Sequence, residues 1–235
     1  MILSRRNVVG FCFVGALTGC NLTVLDNDGG FVQSDDGRIN CGDECVSNYV
    51  GDTRTVTLTA VPEVDSIFYR YYGPCDNGPT VGEDTCQVSI GLATGPKNIV
   101  AKFYPADAIV CDGNYVIVKV AQMDSIETCD IITGDLSLGS TLAESGGYYR
   151  DTDITDLLRL ESLTVIEGSL TIAATNFMAD LAGLEKLTTV GGSLKLVTND
   201  EIISLENLTS LQSVGGDIYI VGNAYLSSLV GLDNL

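Results

Sequence analysis

A repeat of about 24 residues constrains this chain more than any other feature in it. The segments Gly168-Ser169-Leu170-Thr171-Ile172, Gly192-Ser193-Leu194-Lys195-Leu196 and Gly216-Asp217-Ile218-Tyr219-Ile220 are evenly spaced copies of one pattern. Between them run apolar residues at spacing three: Leu181, Leu184, Leu187 and Val190, then Leu205, Leu208, Leu211 and Val214. Leu157, Leu160, Leu163 and Ile166 lie upstream in the same phase, and Leu229, Leu232 and Leu235 open the next series. A unit this short cannot enclose its own apolar residues, so the repeats are expected to stack as a solenoid whose coils bury one another. In Leu170-Thr171-Ile172 and its copies the two apolar residues face inward and the residue between them faces out. That alternation sends Asp135, Ser137, Ser169, Thr171, Ser193, Lys195, Asp217 and Tyr219 outward. It also sets Thr171, Lys195 and Tyr219 in one column with neighbours roughly 4.8 Å apart. The pairs Gly191-Gly192 and Gly215-Gly216 are expected to permit a tight corner. Asn199 and Asn223, at one repeat position, are expected to satisfy turn backbone groups with their amides.

Upstream of the repeat, about residues 31–106 alternate in short β-rich runs. Thr55-Val56-Thr57-Leu58-Thr59-Ala60, Gln87-Val88-Ser89-Ile90 and Asn98-Ile99-Val100-Ala101-Lys102-Phe103 have period two, and Asp76-Asn77-Gly78 and Gly95-Pro96 mark turns. The pattern predicts a small antiparallel sheet with one buried face. So few residues make a thin core that calls for covalent staples.

The first twenty residues carry Arg5-Arg6, an apolar run from Val8 to Leu17, and Leu17-Thr18-Gly19-Cys20. A basic start and a short apolar run before small residues describe an export signal over residues 1–19. The run is well short of the roughly 20 residues a membrane-spanning helix needs. Its end resembles a bacterial lipobox, which implies acylation of the Cys20 thiol and anchoring by lipid. Asn21 rather than Asp after that cysteine implies, by resemblance to enterobacterial sorting, delivery to the outer membrane, facing the periplasm or the surface. Residues 20–30, with Asp26-Asn27-Asp28-Gly29-Gly30, are expected to be a flexible tether; a calcium loop there lacks the later ligands of an EF-hand.

An exported chain meets an oxidising space. Beyond Cys12 and Cys20, six cysteines remain, which admit 15 pairings in principle. Their spacings favour the local bridges Cys41–Cys45, Cys75–Cys86 and Cys111–Cys129 over a metal site, since Cys41 and Cys45 flank three residues rather than two.

Two resemblances refine the organisation. Gly37-Arg38-Ile39-Asn40-Cys41-Gly42 with Cys45, Val56-Thr57-Leu58-Thr59-Ala60, Phe68-Tyr69-Arg70-Tyr71-Tyr72-Gly73-Pro74-Cys75, Thr85-Cys86-Gln87-Val88 and Val100-Ala101-Lys102-Phe103 together resemble a divergent internalin-type B-repeat. Tyr71 stands where that family usually has Trp. The family implies a spacer or adhesive stalk, and Tyr69, Tyr71 and Tyr72 are read as core packing ahead of a sugar platform. Cys129-Asp130-Ile131-Ile132-Thr133-Gly134-Asp135-Leu136-Ser137-Leu138 resembles the opening of receptor L-domains. Asp112-Gly113-Asn114-Tyr115-Val116-Ile117-Val118 and a short helix near Ala121 to Thr128 fit that family's capping start. The resemblance covers residues 107–235 and implies a leucine-rich, right-handed β-helix. An ordinary leucine-rich horseshoe is the alternative, because Leu194-x-Leu196-x-x-Asn199-x-x-Ile202 resembles its core. The step from Gly134 to Gly168 is longer than the step from Gly168 to Gly192, so Ser140 to Tyr149 is expected to bulge as a loop. The chain stops at Leu235 inside a coil, and more coils or a cap are expected beyond it.

Composition narrows the function. With no His, imidazole-based triads, His-ligated zinc and imidazole pH switching are excluded. A formal charge of −19 repels phosphate backbones, which argues against nucleic acid. The outward strand residues lack two acids on facing coils at a glycosidase separation, and Lys195 alone makes a weak catalytic base. The expectation is a non-enzymatic, cofactor-free surface lipoprotein, anchored by lipid, that binds a protein or glycan through Thr171, Lys195 and Tyr219. A purely structural stalk and a β-helical polysaccharide-processing enzyme are the alternatives.

Overall fold

The computed structural model describes residues 21–25, 29–41, 44–49, 52–78, 82–91, 95–139, 152–175 and 177–235. The expected export signal with Cys20, and the stretch Ser140 to Tyr149 expected to bulge as a loop, lie outside the described residues. The protein is mainly β, and it divides after Asp107 into two compact units.

In the first unit the period-two runs become strands β1 (Asn21–Leu25), β2 (Gly30–Ser34), β3 (Asn40–Cys41), β4 (Glu44–Asn48), β5 (Arg54–Pro62), β6 (Ser66–Tyr72), β7 (Thr85–Ile90) and β8 (Lys97–Pro105). They form two four-stranded sheets, in the orders β4-β1-β8-β6 and β3-β2-β5-β7. Along β5, Val56, Leu58 and Ala60 are buried while the threonines between them are not, as alternation requires. Both sheets feed one core, with Leu22, Ile99 and Phe103 from one and Val32, Leu58 and Val88 from the other. The Phe68 ring packs on Tyr71 and on Phe103, at 4.8 and 5.6 Å between centroids. The unit is therefore two-layered, not the single antiparallel sheet expected.

The tether also needs correction. Asn21–Leu25 is a strand, paired antiparallel with β4 and parallel with β8, and its Leu22 and Val24 are buried. The polar stretch after Leu25 masked a short period-two run whose apolar residues fill the core.

The Cys75–Cys86 disulfide ties the segment after β6 to β7, and so joins the two sheets. Cys45 is disulfide-bonded; the side chain of Cys41 lies outside the described residues. At one edge Tyr49 is buried beneath the guanidinium groups of Arg38 and Arg54, 4.8 and 5.4 Å from its ring centre. Asp36 accepts hydrogen bonds from Ser34 (2.6 Å) and Arg54 (2.7 Å), and Arg38 bonds Asp52 at 2.7 Å. Burial alone would raise the Asp36 pKa. Hydrogen bonds from Ser34, the Arg38 backbone and Tyr49, with the charge of Arg54, outweigh it and hold the carboxyl below its ordinary value.

The second unit contains β9 (Val110–Cys111), β10 (Tyr115–Ile117), β11 (Ile131–Ile132), β12 (Leu136–Gly139), β13 (Val165–Ile166), β14 (Leu170–Ala173), β15 (Thr189–Val190), β16 (Leu194–Val197), β17 (Ser213–Val214) and β18 (Ile218–Val221). Odd and even strands separate into two five-stranded parallel sheets, β17-β15-β13-β11-β9 and β10-β12-β14-β16-β18. Leu170 pairs with Leu194 and Leu194 with Ile218, so the sequence period is also the register. The spacing-three leucines point between the sheets; Leu157, Leu160, Leu163, Leu181, Leu184, Leu187, Leu205, Leu208 and Leu211 are all in the buried core. Cys111–Cys129 staples the first coil. The expected short helix there is a 3-10 segment, Val120–Ser125, with Met123 and the following Ile126 buried; Gln122 Oε1 accepts the N–H groups of Val118 and Lys119 at 2.8 Å each.

The corners are built differently from expectation. Gly191 and Gly215 do not have positive φ; a Cβ on Gly191 would sit 2.2 Å from Glu167 O, and one on Gly215 would sit 2.1 Å from Gly191 O. These glycines serve close approach between successive coils. The left-handed corner lies after β14, β16 and β18 of the other sheet, at Ala174 (φ 54°), Thr198 (φ 56°) and Gly222 (φ 71°). Side chains of the next residue hold it. Asn199 Oδ1 accepts the Thr175 N–H (3.1 Å) and hydroxyl (2.8 Å), while its amide nitrogen donates to Ile172 O at 2.9 Å. Asn223 repeats this one coil on, to Asn199 N–H and Leu196 O. Each leucine turn is then opened by a capping oxygen at the same place in its coil: Asp156 to Leu158 N–H, Asp180 to Ala182, Ser204 to Glu206 and Ser228 to Val230.

Candidate ligand-binding face

The sheet β10-β12-β14-β16-β18 presents its outward residues in register. Val116 pairs with Ser137, Ser137 with Thr171, Thr171 with Lys195 and Lys195 with Tyr219. The parallel pairing thus brings Thr171, Lys195 and Tyr219 into one column and extends it by two residues at its start. Val116 and Tyr219 are exposed, and Ser137, Thr171 and Lys195 are half-buried.

The outward residues Asp135, Ser169, Ser193 and Asp217 are taken up by the scaffold. Asn114 Oδ1 accepts the Asp135 N–H at 2.7 Å, and Asp135 Oδ1 accepts the Ser169 N–H at 2.6 Å. Ser169 Oγ then accepts from Ser193 N–H, and Ser193 Oγ from Asp217 N–H, both at 3.1 Å. Asp135, Ser169 and Ser193 are therefore a side-chain ladder stitching coil to coil, and Asp217 ends it while accepting the Tyr219 hydroxyl at 3.4 Å. Asn114, which starts the ladder, carries no repeat signal in the sequence because its coil precedes the regular period.

What stays outward in the column is the Val116 side chain, the Ser137 and Thr171 hydroxyls, the Lys195 ammonium and the Tyr219 phenol ring. Asp135 and Asp217 stand three coils apart, about 14 Å by the strand spacing. That exceeds the carboxylate separation of either glycosidase geometry. Among the described residues, no group of three or more Cys, Asp or Glu side chains is placed to hold a metal, and no helix is long and apolar enough to cross a membrane.

The tyrosines of the first unit divide. Tyr71 is core; burial, with the charge of Asp84 second, raises its pKa well above the usual phenol value, and its hydroxyl donates to Asp84 O at 3.3 Å. Tyr69 and Tyr72 are half-buried and flank Arg70, whose guanidinium lies 5.0 and 5.6 Å from their ring centres.

Residues 128–234 match the family model described as the receptor L domain. Searches of curated proteins and of solved structures returned no match.

Proposed function

We propose that the chain is a lipid-anchored bacterial surface protein, acylated on Cys20, whose second unit is a right-handed β-helix that binds a ligand without catalysis. The first unit, in this reading an internalin-type B-repeat, is the spacer that carries the binding unit away from an outer membrane. The receptor L domain matched by residues 128–234 is a non-enzymatic ligand-binding module, which supports the reading. The observation that carries it is the column Thr171, Lys195 and Tyr219, left outward after the neighbouring outward positions are committed to the ladder.

A cation beside an aromatic ring suits an acidic protein patch or a sugar with acidic groups. Lys195→Glu with Tyr219→Ser should abolish binding to an acidic protein or to the acidic glycans of an array while leaving the fold intact, because both side chains point outward. Binding that survives the double change would place the ligand elsewhere. Anchoring is tested separately: a fatty-acid analogue should label the wild type in cells and not Cys20→Ala, and equal labelling would contradict it.

A further inference from the structure

A second surface arises where the chain leaves the strand sheet. Three turns follow the left-handed corners, closed by Met178 N–H to Thr175 O, Ile202 N–H to Asn199 O and Leu226 N–H to Asn223 O, each 3.3 Å. They are one structure repeated once per coil, so residues 177, 201 and 225 occupy the same place in successive coils. These are Phe177, Glu201 and Tyr225, all exposed, the Phe by 73% and the Tyr by 62%. One period earlier stands Asp153, also exposed, with Oδ1 fixed by the Val120 N–H at 2.7 Å. The edge therefore reads acid, aromatic, acid, aromatic.

This alternation follows a second period in the scaffold. Leu158–Leu160 and Glu206–Leu208 form 3-10 turns, two coils apart. In the coils between and after them, Gly183 and Gly231 take φ of 111° and 110° instead. Each accepts what the preceding coil imposes: a Cβ on Gly183 would lie 1.9 Å from Leu157 O, and one on Gly231 1.9 Å from Leu205 O. Each also donates its N–H to an acid two residues on, Glu185 or Asp233. The structural repeat is thus a doublet of two coils, and Phe177 and Tyr225 are equivalent members of two doublets. Single exposed aromatics are ordinary on a surface; an equivalent pair at doublet spacing is a pattern.

We propose that the ridge Asp153, Phe177, Glu201 and Tyr225 binds an extended β-1,4-linked glycan lying along the coil stack. In such a polymer each pyranose is turned over relative to the last, so one sugar face recurs once per disaccharide. Rings on alternate coils recur at about 9.6 Å, twice the strand spacing, close to a disaccharide length. Phe177 and Tyr225 then stack on the apolar C–H faces of alternate sugars. Glu201 between them, and Asp153 before them, accept hydroxyl hydrogen bonds from the intervening sugars. An α-1,4-linked chain coils and loses this match. The ridge lies on the turn edge, apart from the strand column, so the two sites can fail separately.

The test uses the full chain with cellohexaose and N-acetylchitohexaose, and with maltohexaose as the α-linked control, by affinity electrophoresis and calorimetry. At least one β-linked hexaose should bind and the control should not. Phe177→Ala and Tyr225→Ala should each weaken binding about ten-fold, the order expected for one stacking contact. The two together should remove it with an unchanged circular dichroism spectrum. The proposal is overturned if neither β-linked hexaose binds, if maltohexaose binds equally well, or if the ridge double variant retains binding.

Discussion

The two units bury apolar surface by opposite routes. In the first, each strand finds a partner far along the chain: Leu22 of β1 lies beside Lys97 of β8, and Arg54 of β5 beside Ile90 of β7. In the second, a residue's neighbour is its own copy in the next coil, as Lys195 is to Thr171. A non-local sandwich leaves local slack in its loops and needs staples at chosen points. A coil stack has no slack, because each backbone is pressed on the last, and it spends side chains on every corner. A change that one unit absorbs should therefore be severe in the other.

Glycine gives the largest contrast. Gly183→Ala would set a Cβ against Leu157 O at a φ of 111°, and combined strain and overlap should cost about 4 kcal/mol. Gly37→Ala, at φ 71° with nothing within 4 Å, should cost about 1 kcal/mol. Urea midpoints of the two variants measure the gap; equal shifts would break the contrast. Replacing Cys75 and Cys86 together by Ser should destabilise the first unit by about 3 kcal/mol, from the entropy of its 11-residue separation, and leave the unfolding transition of the second unit unmoved. Asn199→Ala should cost the coil stack about 2 kcal/mol by stranding the Thr175 N–H and the Ile172 carbonyl in the interior. A cost near zero would mean that the left-handed corner at Thr198 holds itself.

Acid should produce the smallest effect. The carboxyl of Asp36 titrates below its ordinary value in the folded state. Its contribution is complete above the unfolded pKa and is lost as pH falls through the folded one. The first unit should thus weaken on acidification below about pH 4, and Asp36→Asn should remove part of that slope. Glu185 in the second unit is also held low. Burial raises its pKa, but backbone N–H groups of Glu185 and Gly183 and the Asn207 amide outweigh it, so some acid sensitivity is expected there too.

The same contrast explains what was legible beforehand. Leucine spacing and the Leu-x-Ile copies fix both the existence of the coils and their register, so the outward column follows from sequence alone. The first unit's β5, β7 and β8 were readable from alternation, but which strands pair was not, since nothing local distinguishes the parallel β1–β8 pair. Within the stack, the corner escaped because Ala174 and Thr198 carry no left-handed signal of their own; the bonds made by Thr175, Asn199 and Asn223 hold them there. The glycine pairs stand out in the sequence, but they signal a turn that they do not make. The capping series Asp156, Asp180, Ser204 and Ser228 mixes residue types and so hides its period. Phe177 and Tyr225 were invisible for a related reason: a two-coil period needs the alternating 3-10 and glycine turns to be seen.

Register is the claim on which the column, the ladder and the ridge all depend, because a slip of one residue would turn every outward side chain inward. Nuclear Overhauser contacts between backbone protons of the deuterated, amide-reprotonated chain test it directly. Contacts linking Thr171 to Lys195 and Lys195 to Tyr219 as facing residues are the result this account predicts. Facing contacts from Thr171 to Leu194 or Leu196 instead, or none between equivalent residues of successive coils, would contradict it.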